Sequence, residues 1–273
     1  MNNASASYQL LTTQSAEEAR LLAVELEEKN AERQRLTKEV LSRAKEKLAA
    51  KLHLPVLIEG DESYYVGVIG LVASRVVDEF YKPAIIINIG PEFCQGSCRS
   101  IAEFDMVSAL TECQDLLTAF GGHPLAAGFT VARRNLAQLE QRLVRLATDK
   151  LGRLELRPEI VIDAELPLAA LAGDTFNLIQ KLSPFGSGNP QPIFLTRQVE
   201  VIECRNFGNQ SDWLRLKLKQ GNVTWQAVDF ESRKKREGIP SHIDVVYNLE
   251  KSHWNGEEVL RLKLLDFAPA QLG

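Results

Sequence analysis

Between Ser15 and Ala50 the chain contains neither proline nor glycine. Alanine, leucine, glutamate, lysine and arginine, all strong helix formers, dominate the stretch. Ser15 and Glu18 have the spacing of a capping box, in which the two side chains satisfy orphan backbone N–H groups of a first turn. One long helix is the expectation. Leu22, Leu26, Leu36, Val40, Ala44 and Leu48 fall near one face at helical spacing, and Lys29, Asn30 and Arg33 interrupt that stripe in its middle. Two readings fit equally: an exposed helix with a broken stripe, or a bridging helix whose polar middle faces a ligand cleft or another domain. Residues 1–14 are polar apart from Tyr8-Gln9-Leu10-Leu11 and read as poorly ordered. So abrupt a start suits a fragment.

A compact α/β pattern follows. Val56 to Glu59 reads as a strand and Gly67 to Val77 as a buried helix, with Gly67 and Gly70 permitting close packing on a sheet or opening a phosphate-facing N-terminus. Pro83 opens a strand, Ala84 to Ile89, whose near-continuous apolar run predicts burial on both faces. Gly96 to Ile101 reads as its neighbour. Alternation puts Ser97 and Arg99 on one face and Cys98 and Ser100 on the other. A hydroxyl and a guanidinium two residues apart suit a phosphate, the arginine as a charged fork and the serine as a short hydrogen bond. Asp105 can cap a helix running to about Phe120, with Val107, Leu110, Cys113, Leu117 and Phe120 inward. Leu125 to Val131 reads as a strand, Arg133-Arg134 as a solvated turn and 135–151 as a closing amphipathic helix.

The stretch from Phe120 to Gly128 admits two interpretations. Gly121 and Gly122 can end the preceding helix as a C-cap. They can equally let a ligand approach the backbone, their N–H groups forming an anion-binding concavity with His123 at its lip.

Residues 152–183 read as a connector, in which 160–162 can pair as a strand and Thr175 to Leu182 can form a short helix. Pro184 to Pro192, rich in proline and glycine, reads as a stiff loop. Five strand runs follow, Pro192 to Glu203, Trp213 to Lys219, Val223 to Phe230, Ile243 to Leu249 and Glu258 to Phe267, which suit an OB barrel. Trp213 to Lys219 alternates strictly, with Leu214, Leu216 and Leu218 on the barrel core side and Trp213, Arg215, Lys217 and Lys219 on the other. Arg261 and Lys263 repeat the cationic pattern on the last strand. Aromatics stack on bases and cations track the phosphodiester backbone, so this face suits single-stranded DNA without sequence preference. A solubilising outer barrel face looks similar. Arg233-Lys234-Lys235-Arg236 reads as a flexible basic loop.

Composition narrows the class without choosing a function. The chain is 45% hydrophobic and 25% charged, as for a soluble globular protein. No apolar run approaches a membrane span and no signal peptide is visible, so a cytoplasmic location and no membrane partner are expected. Cys94, Cys98, Cys113 and Cys204 lack Cys-x-x-Cys spacing, which argues against zinc and for a reducing compartment. A net charge of −4 argues against a wholly basic nucleic-acid binder but not against a local basic groove.

Several motifs, taken in order, carry a family resemblance. Asn30-Ala31-Glu32-Arg33-Gln34, the Gly67 to Arg75 helix start, Gly96-Ser97-Cys98-Arg99-Ser100-Ile101, Phe120 to Gly128, Pro184-Phe185-Gly186-Ser187-Gly188-Asn189-Pro190 and the Trp254-Asn255-Gly256 turn before Leu260 to Asp266 resemble successive motifs of the RecJ-like exonucleases of the DHH phosphoesterase family. The resemblance covers nearly the whole chain from about residue 8. It implies a DHHA1-type α/β domain with a mixed sheet, preceded by a long helix and followed by an OB-fold barrel. The expected divisions are 1–14, a connecting helix 15–50, the DHHA1 domain 51–151, a connector 152–191 and the OB domain 192–273.

The resemblance also implies roles. Ser97, Arg99 and Ser100 become candidates for gripping a 5′-phosphate, and Gly121, Gly122 and His123 for contacting the scissile phosphate. Arg33 joins Trp213, Arg215, Lys217, Lys219, Arg261 and Lys263 as a nucleic-acid contact. Where such sequences place a histidine before the glycine helix, this chain has Tyr65. Its four histidines, His53, His123, His242 and His253, form no Asp-His-His run, so the metal-binding catalytic domain is absent. No cofactor is expected in this segment, with Mg or Mn implied for the missing DHH domain. The leading expectation is the substrate-binding part of a 5′→3′ single-strand exonuclease of DNA repair and recombination, inactive alone. Single-stranded DNA, the DHH domain and a helicase or single-strand-binding protein are its expected partners. Two other readings stay open: a stand-alone nucleic-acid-binding scaffold, and a phosphodiesterase for short oligonucleotides or cyclic dinucleotides.

Overall fold

The computed structural model describes residues 4–207, 213–230, 238–254 and 257–270. The chain divides after Pro158 into two compact units.

The first unit begins with α1 (Ser5–Thr12), where irregular chain was expected, and α2 (Ala16–Leu48). The Ser15 hydroxyl accepts from the Glu18 N–H at 3.3 Å, one half of the expected capping box, while the Ser15 N–H donates to Thr13 Oγ1 at 3.2 Å and the Glu18 carboxylate accepts from the Thr13 hydroxyl. Only the second half of the stripe is buried, at Leu36, Val40, Ala44 and Leu48. The polar interruption at Lys29 to Arg33 marks where α2 leaves the core.

A five-stranded sheet follows in the order β1-β2-β3-β5-β4, formed by β1 (Leu57–Asp61), β2 (Ala84–Ile89), β3 (Phe93–Arg99), β4 (Leu117–His123) and β5 (Ala126–Ala132). β1 and β2 run parallel, joined by the crossover helix α3 (Val66–Phe80), and every other pairing is antiparallel. The β2 run is apolar throughout because both its faces are covered. Ala84 and Ile86 pack under α2 and α3, and Ile85 and Ile87 pack against the core of α4 (Met106–Thr111) and α5 (Leu136–Leu151).

The helix expected from Asp105 to Phe120 is shorter. Asp105 does cap it, accepting from the Ser108 N–H at 3.0 Å, but α4 ends at Thr111. The Asn135 side chain then donates to the Leu116 carbonyl at 3.2 Å, and Leu117 begins β4. Pairing with β5 outweighs the local helical period, so Leu117 and Phe120 belong to a strand and the helix-cap reading of Gly121-Gly122 is excluded.

In the second unit the expected strand at 160–162 does not form. A two-residue β6 (Ala164–Glu165) pairs instead with β7 (Phe194–Phe207), and α6 (Thr175–Gln180) follows β6 in the chain. The Pro184–Pro192 loop is held by Asn189, whose side-chain amide donates to the Leu182 and Pro184 carbonyls, each at 2.9 Å. β8 (Trp213–Gln220), β9 (Val223–Asp229), β10 (His242–Trp254) and β11 (Glu257–Pro269) complete the sheet, and β10 pairs back with β7 to close a five-stranded OB barrel. Leu214, Leu216, Leu218, Val245, Leu249 and Leu262 fill it. The basic run Arg233 to Arg236 and the Asn255-Gly256 turn lie outside the described residues.

Candidate functional site

The candidate phosphate residues are aligned by sheet register. β3 pairs with β5 and β5 with β4, so Ser97, Gly128 and Gly121 form one cross-sheet row and Arg99, Ala126 and His123 the next. Directly opposite residues share a face. Both rows therefore lie on the α3 side of the sheet, while Cys94 and Cys98 point into the core beneath. Burial pushes the Cys98 thiol up to about 12, against the opposing pull of Arg99, so it stays neutral under the row.

Arg99 is held in a built seat. Its Nε donates to Ser74 Oγ at 3.1 Å, and one terminal nitrogen donates to the Cys98 carbonyl at 2.8 Å and to Ser97 Oγ at 3.4 Å. Ser74 in turn donates to the Gly70 carbonyl at 3.1 Å. A Cβ on Gly70 would stand 3.0 Å from Ser97 Oγ and 3.2 Å from an Arg99 nitrogen, so glycine there lets α3 approach β3 closely enough to build the seat. Among the described residues all of Arg99's polar contacts are neutral oxygens, which leaves its positive charge uncompensated.

Opposite stands β4, an edge strand. Two strand spacings put its row partners about 9.6 Å from those of β3. Gly122 has φ +142°, and a Cβ there would lie 2.4 Å from the Ala126 carbonyl oxygen, so only glycine fits. His123 ends the strand, exposed, before the Pro124-Leu125 turn. Ser100 is not part of this face. It is buried, and its hydroxyl donates to the Phe104 carbonyl at 2.6 Å, an internal clamp. Arg33 donates to Asn30 Oδ1 at 2.8 Å on its own helix, and the structure does not bring it to the row. Tyr65 precedes α3 and is half exposed.

Beside the Ser97 row lies a groove of about 420 Å³, lined by Val66 and Ile69 of α3, Gln95 and Ser97 of β3, and Gly128 and Thr130 of β5. Ser74, Gln95 and Thr130 were not singled out in the sequence. Alternation from Ser97 would have found Gln95, but Ser74 and Thr130 needed the register and the helix placement.

On the barrel, Trp213, Arg215, Lys217 and Lys219 face outward and the leucines inward, as alternation requires. The structure adds two aromatics. Phe207 and Phe230 stand edge-on to Trp213, with ring centroids at 5.4 and 5.5 Å. Arg215 lies over Phe207 at 4.9 Å and Arg261 over Phe230 at 5.1 Å, so two guanidinium groups flank a three-ring patch. The expected cationic row is partly neutralised. Lys219 pairs with Glu200 at 3.7 Å, Arg261 pairs with Glu250 at 2.5 Å, and Glu203 stands cross-strand from Lys217. Lys263 is half-buried opposite Asn248. Among the described residues no three His, Cys, Asp or Glu side chains converge to hold a metal ion.

Comparison with known proteins agrees with this division. Residues 50–151 match the DHHA1 domain family and residues 162–266 the RecJ OB domain family. The single-stranded-DNA-specific exonuclease RecJ of Bacillus subtilis is 30% identical over 96% of this chain and 34% of its own length. The RecJ of Thermus thermophilus is 29% identical over 97% of this chain and 37% of its own. The crystal structure of Thermus thermophilus RecJ with Mn2+ superposes with a TM-score of 0.78 at 27% identity, covering 98% of this chain and 39% of that one. Its Mg2+ complex gives a TM-score of 0.76. The chain spans about a third of the length of these relatives. By its DHHA1 domain followed by a RecJ OB domain, the chain belongs to the RecJ family, of which it represents a C-terminal part.

Proposed function

We propose that this chain is the substrate-holding part of a RecJ-like 5′→3′ single-stranded-DNA exonuclease that acts in the cytoplasm in DNA repair and recombination. The observation that carries this reading is Arg99: a guanidinium fixed by neutral oxygens, with Ser97 beside it, on an open sheet face. The second terminal nitrogen of Arg99 still has its N–H groups to offer a terminal phosphate as charged hydrogen bonds. Across the small residues of β5, the β4 edge offers backbone groups and the His123 imidazole to the next phosphate, where donors stabilise charge developing on phosphoryl oxygens. A divalent ion supplied by a DHH domain would activate the attacking water. The residues here bind and orient.

The barrel patch gives single-stranded DNA a second contact. Trp213, Phe207 and Phe230 offer stacking faces, and Arg215, Lys217 and Lys219 track the backbone. The deciding experiment compares binding of one single-stranded oligonucleotide carrying a 5′-phosphate or a 5′-hydroxyl. The wild-type chain should prefer the phosphate, and Arg99→Ala should lose that preference while still binding the strand. Equal affinity of the wild-type chain for both ends would refute the reading. The chain alone should show no Mg- or Mn-dependent cleavage of either probe.

A further inference from the structure

The groove beside the Ser97 row is not needed to hold a phosphate, and its chemistry is different. One row along the strands from Ser97, Gln95 of β3 stands opposite Thr130 of β5. None of the residues lining the groove is charged, and Val66 and Ile69 give it an apolar wall. Its volume of about 420 Å³ lies within the range of small-ligand sites, about 300–1,000 Å³. The floor is open at Gly128, where a Cβ would meet only the Gly96 carbonyl, at 3.5 Å. An apolar wall with a few convergent neutral hydrogen-bonding groups suits a flat heterocycle better than a second phosphate.

We propose that this groove is a nucleobase subsite for the 5′-terminal nucleotide, an assignment that rests on the phosphate reading of Ser97 and Arg99. With the terminal phosphate on β3 and the next phosphate at the β4 edge, the sugar crosses the small residues of β5. The base then points along the strands toward Gln95 and Thr130. One row step, about 6.7 Å, is on the scale of the separation between a nucleotide's phosphate and its base. The Gln95 amide and the Thr130 hydroxyl can each donate and accept. They can therefore pair with the edge of any base, which suits an enzyme that removes successive nucleotides whatever their identity.

The test uses the 273-residue chain and three probes: a 5′-phosphorylated thymidine dinucleotide, the same dinucleotide with a 5′-hydroxyl, and a 5′-phosphorylated dinucleotide whose first residue is abasic. Amide signals of Gln95 and Thr130, followed by NMR, should shift with the base-bearing probe and stay in place with the abasic one. The abasic probe should bind about tenfold more weakly, on the scale of one or two net hydrogen bonds. The Gln95→Ala/Thr130→Val double variant, and Gly128→Val separately, should remove that tenfold difference. Equal shifts and equal affinities for the base-bearing and abasic probes would overturn the subsite. The phosphate seat is judged separately, by phosphate against hydroxyl in the wild-type chain and Arg99→Ala. A chain that distinguishes base from abasic but not phosphate from hydroxyl keeps the subsite and removes the seat, and the reverse pattern removes the subsite alone.

Discussion

The two candidate binding regions use arginine in opposite ways. In the α/β unit, Arg99 is buttressed by Ser74, Ser97 and a carbonyl and meets no acid among the described residues. On the barrel, Arg261 sits against Glu250 and over Phe230, and Lys219 against Glu200. A cation held by neutral oxygens keeps its charge for a ligand. A cation already paired with a carboxylate contributes less net attraction and serves partly to orient the aromatic surface. The first arrangement suits recognition of one charged end. The second suits a strand held mainly by stacking, in a chain whose net charge is −4.

Four measurements test whether the two regions differ in this way. The largest effect belongs to Gly122→Val, which places a Cβ against the β5 backbone at a positive φ. It should destabilise the α/β unit by about 3 kcal/mol in denaturant unfolding, and a variant as stable as the wild type would show that the edge strand is built differently. Next is Arg99→Ala. Removing a charge-assisted contact worth about 1.5–3 kcal/mol should lower the preference for a 5′-phosphate roughly ten- to hundredfold, with internal single-strand affinity unchanged. Trp213→Ala should do the converse, weakening single-strand affinity by about 1–2 kcal/mol and leaving the end preference intact. If either variant affected both quantities equally, the two regions would not be separate in function. Lys217→Ala should change little at one salt concentration but lower the slope of log affinity against log salt by about 0.7.

Hydrogen bonds from Lys47, then Ser63, hold the Asp61 carboxyl well below its ordinary value of 3.8. A depressed folded value means the stabilisation is present above 3.8 and fades as pH falls below it toward the folded value. Acid unfolding should therefore begin near pH 4 and be less steep in Asp61→Asn. An identical acid profile in that variant would remove Asp61 from the account.

Much of this was readable from residue order. The Ser15 N-cap, the doubly buried run at β2 and the alternation of Trp213 to Lys219 each depend on neighbours within a few residues, and each has its expected structure. The misreadings fall where distant chain decides. Leu117 and Phe120 continue the helical period of Val107, Leu110 and Cys113, yet pairing with β5 makes them part of a strand. Ser100 is buried on the face where local alternation already placed it, and only the resemblance grouped it with Arg99. Phe207 ends β7 and Phe230 follows β9, and antiparallel pairing of β8 with both of those strands brings both rings to Trp213.

Residue order was enough for the long helix, the doubly covered strand and an α/β domain followed by a barrel, because helical and strand periods, caps and turn residues act over short range. Tertiary structure alone decided which of the candidate residues meet. Register put Ser97 level with Gly121 and Arg99 level with His123, and the absence of a side chain at Gly70 let α3 close on Arg99. Register is a long-range property. A slip of one residue along β3 would leave the composition unchanged and turn Ser97 and Arg99 into the core.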